Sequence, residues 1–224
     1  MTGREAWRSE LKDEGGHTGG LTPVTVGGVP CLAGLTQRNL AVVRLDPPRA
    51  GATVAVTPWV TEGDCNIASP VVVGSSVLVT SGYNQNAVAR FDVTLGGMTE
   101  AWRTKFSSKV CTPVYHDGAV YYSWMKVSCL DWATGKKRWD GGSFADAGSC
   151  VVTADGRLVV YGYNGKVGLV EGAGRSQAEY RELAVRDKIF KAAAWPHVAV
   201  GGGRVVCRDK DGNLACFTTP GAGR

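Results

Sequence analysis

Short apolar runs broken by tight turns recur along this chain in a fixed order. TPVTVGG from Thr22, SPVVVGS from Ser69, TPVYHDG from Thr112, CVVTADG from Cys150 and HVAVGGG from His197 open five segments that read alike, their second residues 47, 43, 38 and 47 positions apart. The plan inside a segment is clearest from Ser69: SPVVV, SVLVTSGY and AVARFDV as three strands, then TEAWRTKF as a more polar fourth. The next segment repeats it with TPVYH, AVYYSWM, VSCLDW and KKRWDGG. Continuous apolar runs predict strands covered on both faces, and alternating runs predict half-covered ones. Asp117-Gly118 and Asp155-Gly156 between apolar runs predict hairpins, because both residue types tolerate positive φ. A period near ~40 residues with four strands in it predicts an all-β fold, a β-propeller of four-stranded antiparallel blades. About five blades are expected in one domain spanning 1–224, near 22–60, 69–106, 112–141, 150–186 and 197–219.

The ends of the chain complete this picture. The last segment offers only HVAVG, RVVCRD and NLACFT, while EAWRSEL near the start reads like the fourth strand of the other segments. An N-terminal strand over 4–11 is therefore expected to close the last blade, since pairing the two ends leaves no open sheet edge. Tryptophan marks the repeat as well. Trp59, Trp102 and Trp139 stand 11 or 12 residues before Pro70, Pro113 and Val151, and Trp7 holds a looser version of that place. Each is expected to fill space between neighbouring blades, as a large apolar ring with one polar N–H.

Composition narrows the classes of function. Hydrophobic residues make up 44% and charged residues 20% of the 224, and 31 glycines against nine prolines suit a chain of turns. The net charge of +5 is spread along the chain, and Lys136-Lys137-Arg138 is its one compact basic run. No aromatic-basic motif accompanies that charge, so a nucleic-acid partner is not expected. Seven cysteines form no CxxC pair and no Cys/His cluster, which argues against zinc and, by the odd number, against a full disulfide framework. Most lie in apolar strands, where a thiol packs as a small hydrophobe. No apolar run is long enough to predict a transmembrane segment, and MTGREAWRSELKDEGG has no hydrophobic core of a signal peptide. Asp209-Lys210-Asp211-Gly212-Asn213 opens like a calcium loop but lacks the closing Glu, so a hairpin turn is expected there and no metal site. No nucleophile, base or triad pattern stands out.

One constellation of candidate binding residues remains. Loops after the second strand and before the first strand of each blade share one face of a propeller. That face would carry Tyr83-Asn84 from SGYNQN and Tyr163-Asn164 from YGYNGK, with Asn66, Lys109, Trp124 and Trp195 nearby. Aromatic rings beside amides suit stacking and hydrogen bonding with a sugar, a quinone or a peptide. Turn chemistry alone also explains these loops, since Asn favours such bends.

Leu130–Trp139, LDWATGKKRW, resembles the tryptophan-docking repeat of the pyrroloquinoline quinone (PQQ)-like propellers, with Asp131 closing the third strand, Gly135 in the turn and Trp139 on the fourth strand. FDVTLGGMTEAW from Phe91 is a stretched version, and CNIASPVVVGSSVLVTSGYN and GGGRVVCRDKDGNLACF extend the resemblance over essentially the whole chain. The resemblance is to bacterial repeat proteins, and it implies a parent of seven or eight blades, with this chain a C-terminal part or an open arc of it. It also implies a periplasmic or cell-envelope location. Relatives include a lipoprotein of the outer-membrane barrel-assembly machinery that works through protein contacts. Quinoprotein dehydrogenases of the same superfamily hold PQQ and calcium through adjacent cysteines, a tryptophan floor and acidic and amide side chains. No two cysteines here are adjacent, and no such acidic set is matched. The expectation is thus a non-catalytic scaffold or binding module, without cofactor, for a protein partner or a small polar ligand or glycan. A PQQ/calcium oxidoreductase and a carbohydrate-binding or carbohydrate-active propeller are the alternatives.

Overall fold

A computed structural model describes residues 3–17, 19–195 and 197–218. The chain divides into two compact units, Met1–Ser107 and Ser108–Arg224. The first unit holds two four-stranded antiparallel meanders. One is β1 (Thr22–Val26), β2 (Val29–Leu35), β3 (Asn39–Arg44) and β4 (Thr53–Pro58), and the other is β5 (Val71–Val73), β6 (Ser76–Ser81), β7 (Ala87–Thr94) and β8 (Gly97–Thr104). The second unit holds three sheets: β9 (Val114–His116), β10 (Ala119–Asp131) and β11 (Lys137–Ala145); β12 (Gly148–Val152), β13 (Arg157–Gly162), β14 (Val167–Glu171) and β15 (Glu182–Arg186); and β16 (Ala199–Gly201), β17 (Arg204–Arg208) and β18 (Leu214–Thr218).

The three-stranded sheet of β9–β11 is a blade of four strand segments. Residues of β10 before Met125 pair with β9, those after it pair with β11, and Met125 itself has φ 61°. Tyr121 interacts with Cys129, and Tyr122 with Ser128. In a straight strand residues eight apart would stand ~26 Å from each other. The strand therefore folds back at Met125, which restores the two separate strands expected from AVYYSWM and VSCLDW. Asp117 and Gly118 at the β9–β10 turn have φ 45° and 72°, the mirror-image geometry that suits a two-residue hairpin.

Burial follows position in the meander. The inner strands β6 and β13 are buried at five of six residues, whereas every residue of the outer strand β15 is exposed. A strand packed on both faces must be apolar along its length, and VLV of β6 and LVV of β13 supply that. In the first unit Val24, Val26, Leu40, Val42, Trp59, Val77, Val79 and Phe91 share one core cluster. In the second, Val159, Tyr161, Val198, Val205 and Cys207 form another.

Two expectations change. Residues 4–11 form no strand, and Glu10 and the following Asp13 bond to the first sheet and its turns instead. The Glu10 N–H donates to Gly51 O (3.1 Å), and the Asp13 carboxylate accepts from Thr36 Oγ1 (2.5 Å), Asn39 Nδ2 (2.6 Å) and the Arg38 N–H (3.3 Å). Asp13 thus locks the segment onto the β2–β3 turn, and Gly51 (φ 90°) lets Arg8 approach so closely that a Cβ would collide with its carbonyl. Trp7, expected between blades, is 39% exposed. The last sheet accordingly has three strands among the described residues, Thr219 of its expected span lying outside them.

The second change concerns the repeat itself. In each four-segment blade the third and outer strands slip register at one shared place, with a further slip between Met125 and Val127 in β10–β11: Val42 pairs with Ala55 and Val43 with Thr53, Arg90 with Trp102 and Phe91 with Glu100, Cys129 with Trp139 and Leu130 with Lys137, Leu169 with Ala184 and Val170 with Glu182. One residue bulges out at the same place every time. Aligned on that bulge, the residues equivalent to Trp139 are Trp102, Ala55 and Ala184. Trp59, four residues beyond Ala55, occupies a different place.

Candidate functional site

The loop residues after the second strand and before the first strand of the blades fall into two separate groups, one in each unit. Asn66, Tyr83 and Asn84 belong to the first. Asn66 lies between β4 and β5 and is fully buried. Its Nδ2 donates to the carbonyls of Thr36 (2.9 Å), Gln37 (3.1 Å) and Trp59 (3.0 Å), and its Oδ1 accepts from Ser81 Oγ (2.8 Å). Ser81 Oγ in turn accepts from Trp59 Nε1 at 2.9 Å. The amide is thus spent inside the protein, and Asn66, expected on a ligand-facing surface, is a buried staple instead. Tyr83 and Asn84 follow β6 with φ 49° and 69°, and Asn84 Oδ1 accepts from the Glu62 N–H at 2.9 Å. That bond ties the Tyr-Asn loop to the connection before β5.

The second unit gathers Lys109, Trp124, Tyr163, Asn164 and Trp195. Trp124 Nε1, at the β10 reversal, donates to Asp146 Oδ1 (2.7 Å); Lys109 Nζ stands 3.3 Å from the same oxygen and 5.6 Å from the centre of the Trp124 ring. One residue on, Ala147 O accepts from the Tyr163 N–H at 2.6 Å, and Tyr163 O accepts from the Ala194 N–H at 3.1 Å. The Tyr163 ring meets Trp195 edge to face at 5.4 Å, and Trp195 is 53% exposed. The segment before β16 is pinned at two more points, Ile189 N–H to Gly165 O (3.0 Å) and Lys210 N–H to Ala193 O (2.9 Å). A depression of about 600 Å3 opens here between Tyr163, Asn164, Lys191, Ala192, Ala193, Lys210 and Asp211.

Its charge is mixed. Lys210 Nζ donates to Asp211 Oδ1 at 2.7 Å, a bond that raises the Lys210 pKa, and Lys191 has no ion pair among the described residues. Asp209 faces inward: its carboxylate accepts from the Asp211 and Asn213 N–H groups (3.0 and 2.8 Å) and from Asn213 Nδ2 (2.8 Å), which hold its pKa below the ordinary carboxylate range. Asp209-Lys210-Asp211-Gly212-Asn213 is a side-chain-closed turn between β17 and β18. The half-buried Tyr163 ring, two ammonium groups and the Asn164 amide around this depression, with the exposed Trp195 ring edge to face on Tyr163, can stack on a flat polar ligand and hold an anionic substituent.

The two near-identical Tyr-Asn loops are not built alike. Tyr83 and Asn84 carry positive φ, whereas in the second loop Gly165 takes that conformation (72°). Lys191, Asp146, Lys210 and Asp211 join these residues only in the folded structure, although Lys210 and Asp211 stand in a turn motif of the sequence. Asp146 and Lys191 carry no pattern, since only tertiary contacts bring them to Trp124 and Tyr163. Of the remaining marked residues, Trp102 is half-buried on β8 and Asp131 and Gly135 shape the β10–β11 turn. Asp131 Oδ1 accepts from the Thr134 N–H (2.9 Å) and Oγ1 (2.8 Å), its Oδ2 from Arg138 (2.7 Å), and Gly135, with φ 69°, donates its N–H to Asp131 O.

No family model matches the chain, and no curated protein matches it. Solved structures do. BamB from Moraxella catarrhalis aligns with a TM-score of 0.64 at 16% identity over 90% of this chain. The computationally designed Ika8 protein aligns at 0.65 and 11% identity over 92%, and the designed Ika4 protein at 0.52 and 13% identity over 68%. The chain spans 58% of the BamB chain and 60% of the Ika8 chain, against 91% of Ika4. At such identities the likeness is one of fold: an all-β, β-propeller fold of antiparallel blades.

Proposed function

We propose that this chain is a PQQ-like propeller that works without catalysis, as a scaffold or binding module, and that the loop face of its second unit receives the partner. The observation that carries this reading is the exposed Trp195 ring set edge to face on Tyr163, which lines a depression of about 600 Å3 together with Lys191 and Lys210. An indole 53% exposed on a well-pinned loop gains most when a partner covers it. The likeness to BamB is consistent with a scaffold role, and the LDWATGKKRW repeat supports the PQQ-like assignment and, through it, a periplasmic or envelope setting.

The donor set does not fit PQQ with calcium. Asp146 is shared by Lys109 and Trp124, Asp211 by Lys210, and Asp209 by its own turn. Among the described residues no three His, Cys, Asp or Glu side chains converge. Calcium wants six to eight oxygens, several of them carboxylate.

The test is a titration of the protein with neutral saccharides, uronate-bearing saccharides and short peptides, read by tryptophan fluorescence and by NMR shifts. Trp195→Ala should weaken binding at least tenfold while leaving the melting temperature unchanged. Equal affinity in wild type and Trp195→Ala would remove this face from consideration. Stoichiometric PQQ binding with dye-linked oxidation would replace the reading with the oxidoreductase one.

A further inference from the structure

Cys111 and Cys150 lie 39 residues apart in sequence, yet their sulfurs stand 4.0 Å from each other. Cys111 sits in the connection before β9 and Cys150 in the middle of β12, and both are buried, at 0% and 2% exposure. None of the other five cysteines is in contact with a second thiol among the described residues. The pair is held from several sides. The Ser123 N–H donates to Cys111 Sγ at 3.4 Å, and Cys150 Sγ lies 3.7 Å from Tyr121 O. Both anchors are on β10, so one strand positions the two sulfurs.

We propose that Cys111 and Cys150 are a modification site: a thiol pair that closes into a buried disulfide between the connection before β9 and strand β12. A disulfide needs a sulfur–sulfur bond of ~2.05 Å, so each sulfur has about 1 Å to travel, a distance a modest side-chain rotation supplies. The chemistry divides the roles. The contact with Cys150, and after it the Ser123 N–H that donates to Cys111 Sγ, lower the Cys111 pKa and favour its thiolate; Cys150, facing Cys111 in a buried setting, is raised. Cys111 is thus the attacking sulfur and Cys150 the resolving one.

With a peroxide as oxidant the step balances. Cys111 gives its proton to solvent and its thiolate attacks one peroxide oxygen; the S–O bond forms, the O–O bond breaks, and the departing hydroxide takes a proton to become water. Cys150 sulfur then attacks the Cys111 sulfenic sulfur; the S–S bond forms, the S–O bond breaks, and the hydroxyl leaves as water with the Cys150 proton. Two thiols are oxidised by two electrons and one peroxide is reduced to two waters. Hydrogen peroxide is small enough to reach the sulfurs through local opening, where a bulky disulfide such as oxidised glutathione is not.

The experiment uses the full chain with Cys65 and Cys216 replaced by Ser, which leaves the buried cysteines alone. The fully reduced protein is treated with hydrogen peroxide, unfolded, alkylated and digested. A mass lower by two hydrogens, one cross-linked pair carrying Cys111 and Cys150, and a melting temperature raised by roughly 5–10 °C are expected, because the bond constrains a long loop of the unfolded chain. Peroxide should instead leave Cys111 as a lasting sulfenic acid, trapped by dimedone, in Cys150→Ser. Two outcomes overturn the proposal: five alkylated thiols after peroxide treatment that fully oxidises Cys216 in the wild-type chain, or a cross-link joining any other pair.

Discussion

Trp59 and Trp139 are both buried, at 0% and 4% exposure, and both hold a hydrogen bond through Nε1, yet they do different work. Trp59 lies just past β4, where its ring meets Phe91 edge to face at 6.3 Å and its N–H enters the buried chain of Ser81 and Asn66. Trp139 lies within β11 at the register slip, between Tyr121 (5.9 Å) and Tyr180 (6.0 Å), with its N–H on Ser176 O at 2.9 Å. Tyr180 and Ser176 come from the long β14–β15 connection, which folds over the indole. The ring is the same and the spacing to the next blade nearly so. Distance along the chain therefore misidentified the equivalent positions, because insertions in loops shift the spacing while the ladder's bulge does not move.

Truncation should cost most at these two sites. Trp59→Ala and Trp139→Ala are each expected to lose ~3–5 kcal/mol in denaturant unfolding, by transfer and cavity terms together. A near-zero effect at either would break the pairing of the two as core residues. Asn66→Ala comes next, at ~2–3 kcal/mol, since it strands the carbonyls of Thr36, Gln37 and Trp59 in a buried place. Only Trp59 shares that network, so a double-mutant cycle should show coupling between Asn66 and Trp59 and none between Asn66 and Trp139.

A gain should come from Ala184, the residue equivalent to Trp139 in the fourth blade. Beside it an apolar cleft of about 270 Å3 runs between Val159, Val167, Leu169, Val200, Val205 and Phe217. Ala184→Trp is expected to fill it and raise stability by ~1–2 kcal/mol. A loss of stability, or an indole emission spectrum typical of water, would show that the bulge does not carry the equivalence.

The smallest effect concerns the turn that leads into Trp139. Arg138, and after it Thr134, hold the Asp131 carboxylate and lower its pKa from 3.8. Such a group stabilises the fold above its unfolded value and loses that contribution as pH falls through the lower folded value. Asp131→Asn should therefore cost ~1 kcal/mol at pH 7, and the gap to wild type should close below pH 3.8. A gap independent of pH would place the effect in the geometry of the turn and not in its charge.

The candidate face was legible in part. Tyr163, Asn164, Trp124 and Trp195 could be marked because aromatic and amide residues fell in turns after second strands or before first ones. Asn66 stood in an equally suitable loop and proved buried, since a short polar side chain is read the same way whether it faces water or three backbone carbonyls. Asp146 and Lys191 had no local signature. The strand over 4–11 failed for a related reason: EAWRSEL has the letters of an outer strand, but the Asp13 carboxylate captures the turn at Thr36–Asn39 and fixes the segment elsewhere.

By itself the sequence determined the blade plan, because apolar runs on a two-residue period and turns built from Gly, Asp and Asn are local properties that the backbone reads over a few residues. It likewise determined the number of sheets and which strands lie innermost. Tertiary structure decided which residues are equivalent between blades, which polar side chains are spent in the core, and which lysines and rings meet at one surface. Those outcomes depend on strand register and on contacts between residues 20 to 50 positions apart, such as Trp124 with Asp146 and Val198 with Ser149, and no local pattern encodes them.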